Sequence, residues 1–343
     1  MLARISTIKT STNELETPVL FPVHNAGSRG KGNSPKYWEH IPDMKTMMLN
    51  AYFIKENPIY NILSNVGLHD YFKFDGTFFV DSGGLQGRLY DLKLNPIEIL
   101  RIQEGIGADI ASTLDIPILP QDNITNLQHA NYLKTSIKNA ILSSRKKQRE
   151  DMLLFAAIHG NDISVMMNTV DYLNKKGNFD GFAIGGLVAK RSDFRKVVDI
   201  VIAVRKKIGD KPLHVFGLGG PSMIPLLTYL GVDSFDSSSF LKAGSKRIYF
   251  VPGEGSIEFR EMEKLNMLPC VCPVCSDKTF EEVRGKRKLI ALHNLWAICY
   301  EIRKLKMKIQ DGTLEEYLDT RFVFNPLINT AYKYAKAKVR GFA

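Results

Sequence analysis

The sequence predicts an α/β fold, a closed barrel of eight strand–helix units, on three observations. Short apolar segments recur eight times before residue 240, helix-like stretches separate them, and polar or glycine residues gather where the segments stop. Segments apolar on both faces and joined by helical connections mark buried parallel strands. Eight such units over this length fit a (β/α)8 TIM barrel, with a doubly wound open sheet as the alternative.

In order, the strand segments are Val19–Val23, Met47–Phe53, Thr77–Asp81, Asp109–Asp115, Leu154–His159, Gly181–Gly185, Leu213–Gly217 and Asp233–Asp236. Asn126–Glu150 and Ser192–Ile208 have the length and polarity of surface helices. The segments stop at Asp81-Ser-Gly-Gly84, Asp115, His159-Gly160, Gly185-Gly186, Gly217 through Gly220 and Asp236-Ser-Ser-Ser239. A barrel brings all of these ends to one face, the face that carries chemistry, and this favours the barrel over the open sheet. Beyond residue 250 a cysteine-rich stretch precedes a long helical run, Lys288–Lys308, and a basic tail, Lys333–Arg340. The tail reads as a nucleic-acid contact or as a solvated helix face.

At 343 residues, 44% hydrophobic and 24% charged, the chain has the balance of a globular protein with a sizeable core. No apolar run approaches the ~18–20 residues of a membrane helix, which argues against a membrane protein. The first residues lack the apolar stretch of a signal peptide, so a cytoplasmic location is expected. Lysine and arginine number 46 against 36 acidic residues, a net charge of +10 that suits a polyanionic partner.

Cys270-Val-Cys272-Pro-Val-Cys275, followed by His293, offers three thiolates and one imidazole. Such a set fills a tetrahedral zinc shell with no open position, hence a structural metal rather than a disulfide framework. Cys299, six residues past His293, reads as core. Residues 1–250 are therefore assigned to the barrel, and 251–343 to a zinc-binding subdomain with closing C-terminal helices, together one integrated domain. Asp81, Asp115 and Asp236 each end an apolar strand. A buried aspartate costs free energy unless it is paired or used, although any one of them could cap a helix. Separated carboxylates on one face suit acid/base work with nucleophilic attack at a sugar carbon.

These motifs together carry a family likeness. Asp81-Ser-Gly-Gly-Leu-Gln86, Thr113-Leu-Asp-Ile-Pro117, Phe182-Ala-Ile-Gly-Gly-Leu187, Phe235-Asp-Ser-Ser-Ser239, the C-x-C-x-x-C and Leu292-His-Asn-Leu295 occur in the order of the tRNA-guanine transglycosylase superfamily. The chain resembles this superfamily from Thr17 to about His293, with forms closer to the archaeal branch than to the bacterial one. The resemblance implies a zinc-bearing TIM barrel, a pentosyltransferase that exchanges guanine for a 7-deazaguanine. By it, Asp236 matches the nucleophile at C1′, Asp81 the general acid/base, and Asp115 the reader of the base's amino edge. Ser82, Leu85, His159, Gly185, Gly186, Leu187 and Phe216 match the base-binding positions. No redox or nucleotide cofactor is called for.

Three departures from the family pattern bear on the base. Leu85 stands where an aromatic often stacks, while Phe216 stands where bacterial members tend to carry methionine, so the stacking face is expected to have changed sides. His159 replaces a glutamine; it either bonds the base or is a satisfied core histidine. Lys190 and Arg191 replace a stretch holding a glutamate, which favours the neutral 7-cyano base over a cationic aminomethyl one. The length leaves no room for large C-terminal RNA-binding domains; with its archaeal-like motifs the chain in this respect resembles the small DNA-modifying 7-deazaguanine transglycosylases, and DNA is expected as the polymer ahead of tRNA. A non-catalytic binding subunit is the third reading, disfavoured because both catalytic carboxylates are present. A homodimer or an accessory protein is left open.

Overall fold

The structure, a computed structural model, describes residues 1–26, 34–118, 125–160, 162–188, 193–253, 255–262, 268, 270 and 272–341. Eight parallel strands form one sheet: β1 (Val19–Pro22), β2 (Thr46–Asn50), β3 (Thr77–Asp81), β4 (Ile110–Ser112), β5 (Leu153–Ile158), β6 (Gly181–Ile184), β7 (Leu213–Val215) and β8 (Ser234–Ser237). Consecutive strands pair from β2 through to β8, and β8 returns to β1 with Ser234 opposite Val19. A parallel bridge between Val23 and Met48, with the His24 amide 2.8 Å from the Met48 carbonyl, joins β1 to β2 and closes the barrel. The eight strands expected from the sequence are all present.

Burial on both faces explains why these segments are apolar throughout. Phe21, Met48, Phe79, Ile110, Phe155 and Ala183 fill the barrel interior, and alternating residues such as Phe78, Val80, Leu154 and Ile184 pack outward against the helices. Phe79 meets Phe21 and Phe155 edge-on, with ring centroids 5.4 and 5.5 Å apart. A hairpin of Thr7–Lys9 and Glu14–Glu16 places Ile8 and Leu15 in this interior cluster. Its segments are too short and too polar in alternation to register as strands by composition.

Some boundaries differ from expectation. The second strand stops at Asn50 rather than Phe53, because the Asn50 side chain accepts the Phe53 amide at 3.3 Å and caps a helix over Ala51–Lys55. The helix expected over Asn126–Glu150 ends at Lys146; at its start, Thr125 and Gln128 form a reciprocal capping box. The helix Phe194–Ile208 starts on an Asp193 cap, and the long C-terminal helix runs Arg287–Gln310. This last helix packs closely on Ser239–Ser245, the helix that follows β8. A Cβ on Gly244 would lie 2.9 Å from the Ala291 Cβ, so glycine is what allows the approach. The basic tail falls within the helix Pro326–Arg340, where Tyr334 donates to Asp199 at 2.9 Å. Among the described residues, no helix is long and apolar enough to cross a membrane.

Candidate active site

Closure of the barrel brings the C-terminal ends of all eight strands to one mouth. β3 ends in Asp81 and turns through Gly83, whose φ of 87° is a left-handed conformation that glycine adopts freely. Asp81 Oδ2 accepts from Asn50 Nδ2 at 2.9 Å and from the Gly83 amide at 3.1 Å, and Oδ1 accepts from Ser112 Oγ at 3.2 Å. The Asn50 side chain also donates to Gln86 at 2.9 Å, so the strand β2 end holds the loop after β3.

Asp115, just past β4, lies between two glycine turns. A Cβ on Gly84 would stand 2.5 Å from Asp115 Oδ1, and one on Gly185 would stand 3.4 Å from Oδ2. His159, past β5, is buried, and its Nε2 lies 3.0 Å from Ser136 Oγ. Ser136 in turn donates to the Tyr132 carbonyl at 2.8 Å and accepts the Ile116 amide at 2.9 Å, which ties the helix Asn126–Lys146 to the loop carrying Asp115. Past β6, Gly185 donates its amide to Ile158 and Gly186 turns with φ 73°. Asp236, in β8, accepts the Gly217 amide on Oδ1 at 2.6 Å.

Burial pushes the Asp81 carboxyl above the ordinary carboxylate range; the Asp236 charge adds to this, and the Gly83 and Ser112 hydrogen bonds oppose it. Burial raises Asp115 further, to about 7, with the Asp81 charge contributing. Two carboxyls whose burial favours the protonated form, beside a third held by a backbone amide, can divide acid/base and nucleophilic work among themselves.

The remaining expected residues divide by burial. Leu85 is 45% exposed on the short helix Gly84–Leu89, while Phe216 is half-buried with its ring 4.7 Å from that of His214. Ser82 is fully buried with its amide on Ser112 Oγ, and the Leu187 side chain is packed in the outer core. Lys190 and Arg191, on which the nitrile expectation rests, lie outside the described residues. Asn50, Ser112 and His214 were not among the expected site residues, since only folding brings them to the aspartates. For Asn50 the available signal was a polar residue ending an apolar strand.

The cysteine cluster also assembles. Among the described residues, ligand atoms of Cys270, Cys272 and His293 lie within 4.8 Å of one another and could hold a metal ion. The sulfurs of Cys272 and Cys275 are each 3.4 Å from His293 Nδ1. That is near the edge of about 3.5 Å for a tetrahedron with zinc-like bond lengths. His293 Nε2 lies 2.7 Å from the Phe250 carbonyl, an acceptor that keeps the proton on Nε2 and turns the Nδ1 lone pair toward the sulfurs. The Tyr249 ring stacks on the imidazole at 3.7 Å. Cys299 stands apart from this group, its thiol pushed up to about 12 by burial.

Known proteins resemble this chain over nearly its whole length. The family model described as queuine tRNA-ribosyltransferase matches residues 1–325. Proteins named tRNA-guanine(15) transglycosylase from Methanococcus aeolicus, Pyrococcus abyssi and Methanosarcina mazei are 30, 32 and 32% identical over 97, 96 and 94% of this chain. The aligned regions cover 52, 56 and 66% of those relatives, so the chain spans between half and two thirds of their length.

Proposed function

The chain belongs to the queuine tRNA-ribosyltransferase family, and on that premise we propose that its barrel mouth exchanges guanine in tRNA for a 7-deazaguanine through a glycosyl ester on Asp236. The observation that carries this reading is the convergence of Asp81, Asp115 and Asp236 on one mouth, with Asp81 and Asp115 held toward their protonated forms. In the first half-reaction a carboxylate oxygen of Asp236 attacks C1′ of the nucleotide as the bond to the purine nitrogen breaks. The bonding pair leaves with the guanine, which takes a proton from Asp81. In the second half-reaction Asp81 removes the corresponding proton from the incoming base. That nitrogen attacks C1′, and the Asp236 carboxylate is released.

Asp115, as a carboxylate, accepts two N–H bonds from the amino edge of the base. Gly84 and Gly185 leave space on either side of it. The target nucleotide is extruded into this mouth or presented on a single strand. Exposed cations are Lys242 on the helix after β8, Lys246 and Arg247 just past that helix, Lys286 before Arg287–Gln310, and Arg287 and Lys288 in its first turn. They supply cations for the phosphates beside the mouth. The donor set of Cys270, Cys272, Cys275 and His293 fits zinc, which would tie the three cysteines to the long helix and take no part in the exchange.

The names of the relatives favour tRNA over the DNA expected from chain length and motif forms. The incoming base is taken to be the 7-cyano form, on the Lys190-Arg191 pair alone. The test is incubation of purified protein with radiolabelled guanine and, separately, tRNA, single-stranded DNA and duplex DNA, with Asp236→Asn alongside. Label is expected in tRNA and is expected to vanish in the variant. Label in DNA only would restore the DNA reading, and label surviving Asp236→Asn would overturn the mechanism. Elemental analysis should find about one zinc per chain, lost on Cys272→Ser.

A further inference from the structure

His214 is fully buried on β7, with its ring 4.8 Å from Phe79, 4.7 Å from Phe216 and 6.3 Å from Phe21. An imidazole among three aromatic rings needs partners for both nitrogens, because a buried polar atom left unsatisfied has lost its water and gained nothing in return. Nδ1 has one, Ser234 Oγ at 2.9 Å. Nε2 has no hydrogen-bond partner of normal geometry. It faces Asp236 Oδ1 at 3.4 Å, the same oxygen that accepts the Gly217 amide at 2.6 Å.

We propose that His214 is a positioning residue for Asp236, donating from Nε2–H to Oδ1 and so presenting Oδ2 as the attacking oxygen. This rests on the reading of Asp236 as nucleophile. The Asp236 carboxylate, an acceptor only, favours the tautomer with the proton on Nε2, and the Ser234 hydroxyl is free to donate to Nδ1. With that hydroxyl donating to Nδ1, the ring carries its proton on Nε2; the opposite tautomer would aim a lone pair at a carboxylate. The separation of 3.4 Å is long for a hydrogen bond, as such contacts often are before substrate binds. Two donors on one carboxylate oxygen fix the plane of the group. In the glycosyl ester that oxygen becomes the carbonyl, and in the second half-reaction the same donors receive the charge that returns as the ester breaks.

The test compares His214→Phe, His214→Gln and Ser234→Ala with Asp236→Asn for guanine exchange, melting temperature and a protein–polymer adduct stable to denaturation. His214→Phe is expected to lower kcat about 100-fold while the KM for base stays within about twofold. His214→Gln, which keeps a donor near the Nε2 position, should recover at least tenfold of that loss. A wild-type kcat in His214→Phe, or no recovery in His214→Gln, overturns the proposal. If the histidine variants melt at room temperature, Ser234→Ala decides: a kcat about fivefold lower at unchanged KM supports the relay, and a wild-type kcat overturns it. Asp236→Asn separates the two levels of inference. Exchange and adduct surviving in that variant would remove Asp236 as nucleophile. Their loss, beside a fully active His214→Phe, would remove only the role of His214.

Discussion

At the N-terminal end of the barrel, Asp109, Asp180 and Asp233 each stand one residue before a strand and face the start of the preceding one. Their carboxylates accept the amides of Phe78, Leu154 and Leu213 at 2.7, 2.8 and 2.8 Å, and their own amides return bonds to the carbonyls of the same residues. Each also has a cation or histidine: His69 at 3.2 Å, Lys147 at 3.8 Å and Arg205 at 2.6 Å. At the C-terminal end, Asp81, Asp115 and Asp236 sit on or just past strand ends. Among the described residues none of them pairs with a lysine or arginine, in a chain of net charge +10. One residue type therefore does opposite work at the two ends. Where its charge is paired it staples neighbouring strands, and where it is left without a cation its carboxyl is held only by neutral donors and a histidine, as a reacting group needs to be.

Exchanging the two kinds of loss gives the largest expected effect. Asp233→Ala strands the buried Arg205 guanidinium, 5% exposed, and should cost about 3–5 kcal/mol of stability in a denaturant titration. Asp236→Ala should abolish base exchange yet change stability by less than about 1 kcal/mol. A large loss of stability from Asp236→Ala, or none from Asp233→Ala, would break the contrast between the ends.

The strands and the cysteine–histidine cluster were legible in the sequence because their signals are local. Burial on both faces writes an apolar run, and three cysteines within Cys270–Cys275 mark a candidate ligand set by spacing alone. The division of the aspartates was legible in part: Asp81 and Asp236 close their apolar runs, whereas Asp109 and Asp233 open theirs. What the sequence did not carry is whatever depends on neighbours through space. Asn50 lies 31 residues from Asp81 in the chain, and His214 was read only as a strand residue within Leu213–Gly217. The bottom hairpin escaped because its three-residue strands alternate exposed and buried positions too briefly to register.

Asp115 sharpens the comparison at a smaller energy. Its carboxyl takes up a proton near pH 7 in the folded chain and near 3.8 when unfolded, so the folded state binds the proton more tightly. Ionisation of Asp115 thus costs the fold nothing below pH 4, progressively more between pH 4 and 7, and its full amount above pH 7. Asp115→Asn should stabilise the protein by about 2 kcal/mol at pH 8 and leave it unchanged at pH 4, in paired thermal melts. Because the carboxylate is the form that accepts N–H bonds, affinity for the free base should rise with pH up to about 7, and this dependence should disappear in the variant. Asp233, already paired, should show no such gain on neutralisation; Asp233→Asn is expected to destabilise at pH 8.

The smallest effect separates two apolar residues at the same mouth. Leu85 is 45% exposed and offers no π face, whereas Phe216 is half-buried and fixed edge-on against His214. A stacked base is worth about 1–3 kcal/mol to an aromatic ring, so Phe216→Leu should weaken binding of the free base about tenfold, and Leu85→Ala less than about threefold. Leucine keeps most of the volume beside His214, which makes the choice of variant part of the reasoning. If Phe216 stacks on the base, calorimetric Kd for base rises and kcat falls little. If its contribution is instead to hold the His214 ring against Asp236, kcat falls at unchanged Kd. Equal losses of base affinity in the two variants would mean that neither residue supplies the stacking face, and that the base is held at this mouth by its polar edge alone.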